Sequence, residues 1–277
     1  MATKHPVPIL MYHSVSQTTN PAFQAIAMPP QVFAEQMGYL QQNGYTSLTV
    51  TQFAEVIRAG GMGLPEKPVI LTFDDGYADF YTDAFPILQR YGFTAIVYVV
   101  AAYVGYTSRW LRQEGETNRP LLNWEQLREI SAAGMECGAH SCSHPQLDVI
   151  PLRAAYDEIV RSKEILENEL SRHVLSFAYP FGYYTPEICQ LVQSAGFSSA
   201  CAVKFSMSAL DDDLFALARL MPTGDMNGDQ FTALVQGHGQ RVALKRERLL
   251  TRVRRQLRRW SWRQQHSDVS LFNRRRA

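Results

Sequence analysis

Two adjacent carboxylates, Asp74 and Asp75, end the run Val69-Ile70-Leu71-Thr72-Phe73 and precede Gly76-Tyr77. A β-branched and aromatic run that stops at paired acids reads as a buried strand delivering them to the rim of a sheet or barrel. Neighbouring carboxylates repel, so at the mouth of an apolar core they need a metal, another cation or a raised pKa. The plainer alternative is a turn in which Asp75 caps the next helix. A second pair, His140 and His144 in His140-Ser-Cys-Ser-His144-Pro145, places two imidazoles four residues apart. On one face of a helical turn they could bind a single ion, and a carboxylate from another strand would complete a set of two histidines and one acid. Cys142 falls away from that face.

The segments around these groups alternate between strand and helix. Val7 to Tyr12, ending at His13, reads as a strand, as do Val69 to Phe73, Thr94 to Val100, Met135 to Ala139, Val174 to Ala178, Phe197 to Val203 and Leu214 to Leu220. Helical spacing is expected over Gln31 to Gln42, Thr51 to Ala59 with Thr51 as cap, Asp79 to Arg90, Trp124 to Ala133, Leu152 to Leu170 and Pro186 to Ala195. Ser14 to Pro30 and Tyr103 to Leu122 read as loops. Short connections between alternating elements predict a parallel α/β architecture. A (β/α) barrel is favoured over an open sheet, because no glycine-rich phosphate loop follows the first strand and polar residues recur after several strands.

Composition agrees with a soluble globular chain of one large α/β domain or two smaller ones: 277 residues, 46% hydrophobic and 19% charged. The longest apolar run, Ala95 to Val104, is far shorter than the roughly 20 residues that cross a bilayer. The N-terminus leaves no room for a signal-peptide apolar segment, which predicts a cytoplasmic chain. Cys137, Cys142, Cys189 and Cys201 form no CxxC pair, as suits a reducing compartment. The net charge of +1 hides a division: residues 241–277 hold 13 Lys and Arg against Glu247 and Asp268, a formal +11, so the first 240 residues carry −10.

Thr72-Phe73-Asp74-Asp75-Gly76, then His140-Ser-Cys-Ser-His144, then Tyr179-Pro180-Phe181-Gly182 resemble, in that order, the first three motifs of the polysaccharide deacetylases, carbohydrate esterase family 4. Met11-Tyr12-His13-Ser14-Val15 is similar to the subset that includes poly-N-acetylglucosamine deacetylases. The resemblance covers about Pro8 to Met221 and implies a distorted (β/α)7 barrel; with the charge division, residues 1–240 are expected as catalytic domain and 241–277 as a basic amphipathic tail. It implies that Asp75, His140 and His144 hold a divalent metal, zinc first, with cobalt, nickel or manganese as alternatives. Asp74 would be the general base, and the Phe181 backbone N–H would stabilise the oxyanion. His13 would be the acid for the leaving amine, with His238 in Val235-Gln-Gly-His238 as the other candidate. Where many members carry an arginine in the third motif, this chain has Ala178-Tyr179, and Arg219 is the expected substitute for orienting the base. A three-ligand metal suits this chemistry, because it leaves a position for water and lowers that water's pKa towards about 7.

The implied reaction is de-N-acetylation of an N-acetylhexosamine glycan or lipid-linked sugar. O-deacetylation or deformylation of a related sugar, and glycan binding without turnover, are the alternatives. An aspartyl-nucleophile phosphatase fits less well, since it wants Asp-x-Asp after the strand. Asp79, Asp83 and Asp211 to Asp213 read as helix-end or loop charges, Tyr183 and Tyr184 as surface aromatics able to stack on a sugar, and Trp110 and Trp124 as packing residues. In the tail, Leu249, Leu250, Val253, Leu257 and Trp260 fall on one helical stripe among arginines. That pattern suits peripheral contact with an anionic inner-membrane surface through 242–262, or a terminal helix packing its stripe on the barrel. No nucleic-acid partner is expected, because the body is acidic and carries no reader motif.

Overall fold

The computed structural model describes residues 6–18, 20–112, 115–238, 253–262 and 264. Strands β1 (Ile9–Tyr12), β2 (Thr46–Leu48), β3 (Pro68–Phe73), β4 (Ile96–Val99), β5 (Glu136–Ala139), β6 (Ser176–Ala178) and β7 (Ser199–Cys201) form one curled sheet. Its order is β1-β3-β4-β5-β6-β7, with β2 beside the start of β3, and every pairing is parallel. The helices are α1 (Pro21–Gln24), α2 (Pro30–Gln42), α3 (Val50–Arg58), α4 (Phe85–Tyr91), α5 (Trp124–Ala132), α6 (Leu152–Leu170), α7 (Pro186–Ser194) and α8 (Gly228–Val235). A further helix covers 253–262. The architecture is the expected distorted barrel.

Period-two alternation sorts the strand side chains onto two faces. Ile9, Ile70, Ile96, Tyr98, Ala178, Cys201 and Leu217 pack together inside the barrel. Leu10, Tyr12, Leu71, Phe73, Val97 and Val99 pack outward beneath the helices. Every residue of β3 and β4 is buried, which is why both read as unbroken apolar runs. Continuing the inner alternation past the strand ends brings His13 after Ile9 and Met11, Asp74 after Ile70 and Thr72, and Arg219 after Leu217.

The expected strand over Leu214 to Leu220 is reduced to single bridges, Cys201 with Leu217 and Leu10 with Leu220. Those bridges nevertheless join the two sides of the sheet. The Leu217 N–H donates to the Ala200 carbonyl at 3.0 Å and the Leu220 N–H to the Ile9 carbonyl at 2.8 Å. Three local expectations need correction. Thr49, not Thr51, caps α3, in a reciprocal box with Gln52; Thr51 instead bonds the Glu136 carboxylate. The helix expected from Asp79 opens as a π-turn over Phe80–Ala84 before α4. The expected loop Ser14 to Pro30 contains the short helix α1. Neither β2 nor α8 was expected, the first because three residues carry little pattern; α8 does carry a sequence signal, an Asn227–Gln230 capping box. The boundary expected at 240/241 and the tail segment 242–252 lie outside the described residues. Among the described residues no helix is long and apolar enough to cross a membrane.

Candidate active site

Parallel register places the candidate groups side by side. Tyr12 pairs with Phe73, and the Asp74 N–H donates to the Tyr12 carbonyl at 2.9 Å, so His13 and Asp74 leave neighbouring strands at one level. Ala139 pairs with Val99 and Phe177, so His140 emerges at the same end of the barrel.

Asp75, His140 and His144 converge. One ligand atom from each lies within 4.8 Å of the others, and all three residues are buried. Asp75 Oδ1 stands 3.5 Å from His140 Nε2 and 3.2 Å from His144 Nε2. Ligand atoms about 2.0–2.2 Å from a tetrahedral zinc stand about 3.3–3.6 Å apart, close to the two distances from Asp75. The donor set fits too. The His140 Nδ1 meets the Ala178 carbonyl at 2.8 Å, and because a carbonyl only accepts, Nδ1 carries the proton and Nε2 is left for Asp75 or an ion. His144 Nδ1 is buried with no hydrogen-bond partner. Burial pushes the Asp75 carboxyl up, but His144 and His140 outweigh it and hold the carboxyl well below the usual range.

Asp74, beside this cluster, is held by Arg219, a fully buried residue whose Nη1 and Nη2 donate to the two carboxylate oxygens at 2.6 and 2.8 Å. Arg219 Nε donates to the Ala202 carbonyl, Nη1 also reaches Thr72 Oγ1, and the guanidinium lies 5.7 Å from the Tyr98 ring centre. Burial alone would raise the Asp74 carboxyl; Arg219, with His140 and His13, reverses the shift. The pair is therefore an ionised carboxylate with both oxygens anchored. His13 is half-buried, and its charge neighbours are Asp74, Asp75, Arg219 and His140. Burial lowers its pKa, against the pull of the two aspartates. His238 is exposed on the turn after α8.

The His140–His144 segment is not the helical turn considered from its spacing. It is a bent loop with left-handed backbone at Ser141 (φ 62°) and His144 (φ 64°), and the His144 N–H donates to Ser141 Oγ at 2.9 Å. Asp75 (φ 75°) and Phe181 (φ 59°) are left-handed as well, so four of the six such non-glycine residues described in the chain lie at this site. Each costs on the order of 1–3 kcal/mol and persists only where surroundings over-determine it. At Gly182 (φ 70°) a Cβ would lie 2.5 Å from Val203, so the turn carrying Phe181 requires glycine.

Two aromatic rings flank His144. Trp110, which sequence reading treated as packing, stands 5.1 Å from its ring centre and Phe181 4.7 Å. Tyr183 stacks on Phe181 at 6.0 Å, and Arg258 of the terminal helix lies 3.9 Å over Tyr183. Tyr184 stacks on Tyr179, and Trp124 packs on the outer core as expected. Asp79 is more than a helix-end charge: its carboxylate accepts from Ser14 Oγ and the Val15 N–H, tying the segment after His13 to the segment after Asp75. Asp148, just past the His140–Pro145 motif, and Glu158, outside every motif, carry no sequence signal of a place near the site. Asp148 is buried and accepts from Arg258 at 2.5 Å.

Comparison with known proteins identifies relatives of the chain. The polysaccharide deacetylase family profile matches residues 62–200. The Bacillus subtilis (strain 168) protein YxkH, whose name ties it to polysaccharide deacetylases, is 27% identical over 230 residues, covering 83% of this chain and 76% of that protein. The poly-β-1,6-N-acetyl-D-glucosamine N-deacetylase of Escherichia coli (strain K12) is 37% identical over 111 residues, 39% of this chain but only 16% of that enzyme. Among solved structures, IcaB from Ammonifex degensii superposes with a TM-score of 0.70 at 26% identity, over 84% of this chain and 97% of that one.

Proposed function

The chain belongs to the polysaccharide deacetylase family, and from that premise we propose that it hydrolyses the N-acetyl group of an N-acetylhexosamine glycan or lipid-linked sugar, releasing acetate and a free amine. The observation that carries this reading is a buried Asp75–His140–His144 cluster beside an Asp74 anchored by Arg219. A divalent cation held by the cluster, zinc by the chemistry of its donors, would acidify a water and draw charge from the acyl carbonyl.

The chain's own groups supply the rest. Asp74, ionised by Arg219, takes the proton lost by water as its oxygen adds to the carbonyl carbon. The Phe181 N–H donates to the oxygen that becomes negative. His13, held on the neighbouring strand, gives its proton to the amine nitrogen as the C–N bond breaks. One proton is accepted and one donated, so the charge on the site is conserved through the bond change. Trp110 and Phe181 would border the acyl group or the sugar ring. The same groups would serve an O-acetyl or formyl substrate.

The direct test is free-amine release from N-acetylglucosamine oligomers by zinc-loaded protein. Asp74→Asn is expected to lower the rate by about 10²–10⁴-fold while zinc remains bound at wild-type stoichiometry. Undiminished turnover in Asp74→Asn would overturn the base assignment, and bound metal without turnover on any acylated sugar would favour glycan binding alone.

For the terminal helix we infer peripheral contact with an anionic membrane surface. Val253, Leu257 and Trp260 are 54%, 62% and 64% exposed, whereas Arg255, Arg258 and Arg259 are only partly exposed. Arg258 bonds the Asp148 carboxylate and Arg259 the Asp148 carbonyl. The three described residues of the apolar stripe thus face outward, which speaks against the alternative in which the stripe packs on the barrel. Its occupant must also tolerate a +11 tail, which favours anionic lipid over a second copy of this chain.

A further inference from the structure

We propose that Glu158, outside every motif of the chain, is a positioning residue that holds the His140–His144 loop in its ligand-presenting conformation. Glu158 lies in α6 and its carboxylate reaches the loop between the two histidines. Oε2 accepts the backbone N–H of Cys142 at 3.0 Å and of Ser143 at 2.7 Å, and Oε1 accepts the Ser143 hydroxyl at 2.7 Å. One carboxylate therefore satisfies three donors within two consecutive residues, and charge-assisted bonds of this kind are stronger than neutral ones.

The loop needs such support. Ser141 and His144 both sit in left-handed backbone, and neither is glycine. Two carbonyls are tied from the other side, Ser141 by the Ala101 N–H and Cys142 by the Ala102 N–H, so Glu158 and the end of β4 grip the loop from opposite flanks. The two histidines depend on that grip unequally. His140 directly follows β5 and its ring is bonded to the Ala178 carbonyl. His144 has no hydrogen bond at Nδ1, so apart from Asp75 at Nε2 its ring is aimed by its backbone and by contact with Trp110, Phe181 and His140. Releasing Glu158 should therefore let His144 drift while His140 stays.

The inference rests on the metal-centre reading and is tested by metal affinity and geometry rather than turnover. Zn²⁺ affinity is measured by competition with a chromophoric chelator, and ligand geometry by the visible absorption of the Co²⁺-loaded protein, for the full chain and its variants. Glu158→Ala is expected to bind Zn²⁺ about 10–100-fold more weakly, the range found for residues that support metal ligands, with an altered Co²⁺ spectrum. Glu158→Gln should retain most of the affinity, because its amide oxygen can accept both N–H groups while its NH₂ donates to Ser143 Oγ. Glu158→Asp keeps the charge but is one methylene short, and should behave like the alanine variant; if Glu158→Ala does not fold, the Gln and Asp pair decides. Unchanged affinity and spectrum in Glu158→Ala, or a loss in Glu158→Gln as large as in Glu158→Asp, would overturn the proposal. A wild-type chain that binds neither ion would instead overturn the metal-centre reading beneath it.

Discussion

His13 and Asp74 stand at one level on neighbouring strands yet are proposed for opposite duties, one giving a proton and one receiving it. Substrates that differ only in leaving group separate them. An alkylamine cannot depart unprotonated, whereas a nitrophenolate can. His13→Ala should lower turnover of an N-acetylated sugar by about 10²–10⁴-fold, while hydrolysis of 4-nitrophenyl acetate falls far less. Equal losses on both substrates would remove His13 from the acid's role. Arg219 matters through Asp74: without the guanidinium, the buried carboxyl would lose the charge that outweighs its desolvation, and its affinity for a proton would rise. Lysine is a poor replacement, since a single ammonium cannot make the paired bonds at 2.6 and 2.8 Å.

The elements explain which of these groups could be read from sequence. Strand ends announce themselves, because an inward alternation such as Ile70-Thr72-Asp74 changes from apolar to polar where it meets the rim. Asp74, Asp75 and His140 were legible for that reason, and His13 through the resemblance of its motif to a known subset. Arg219 was legible only by default, since its strand is two single bridges with no pattern of their own. Trp110 and Glu158 were not legible as site neighbours, because their places depend on how a long loop and a helix fold back onto the rim. Left-handed Asp75, Ser141, His144 and Phe181 had no sequence signal either, as none is glycine. One element junction carries a pH test. Glu136, at the start of β5, accepts the Thr51 N–H and hydroxyl, linking that strand to α3. Burial raises its pKa against those bonds, so its folded-state pKa exceeds the unfolded one and its favourable contribution lies at low pH. Wild type should therefore lose stability relative to Glu136→Gln as pH rises from about 4.5, the ordinary glutamate value. Denaturant midpoints of the two proteins across that range check it; a constant difference would show that Glu136 does not titrate abnormally.

At the scale of the molecule, a body of −10 and a tail of +11 share one chain. Asp148 gives that attraction a fixed address beside the His144 loop and Tyr183. Full chain is expected to float with phosphatidylglycerol-containing vesicles and not with phosphatidylcholine alone, with binding weakened by salt. Leu257→Ser/Trp260→Ser should abolish flotation without lowering turnover of a short soluble oligomer. Flotation unaffected by the double change, or concentration-dependent dimers that it abolishes, would overturn lipid as the occupant of the stripe.

The bridges at Leu217 and Leu220 that join β7 to β1 flank Arg219 on the same short segment. Closing the barrel and ionising Asp74 are therefore one event. Should that seam come ajar, Asp74 would be exposed to water without its counter-ion while the helices and the other strands were still in place. On the proposed function, the protein would then fall silent before it unravelled, its competence set by a few backbone bonds at one seam rather than by the stability of the whole.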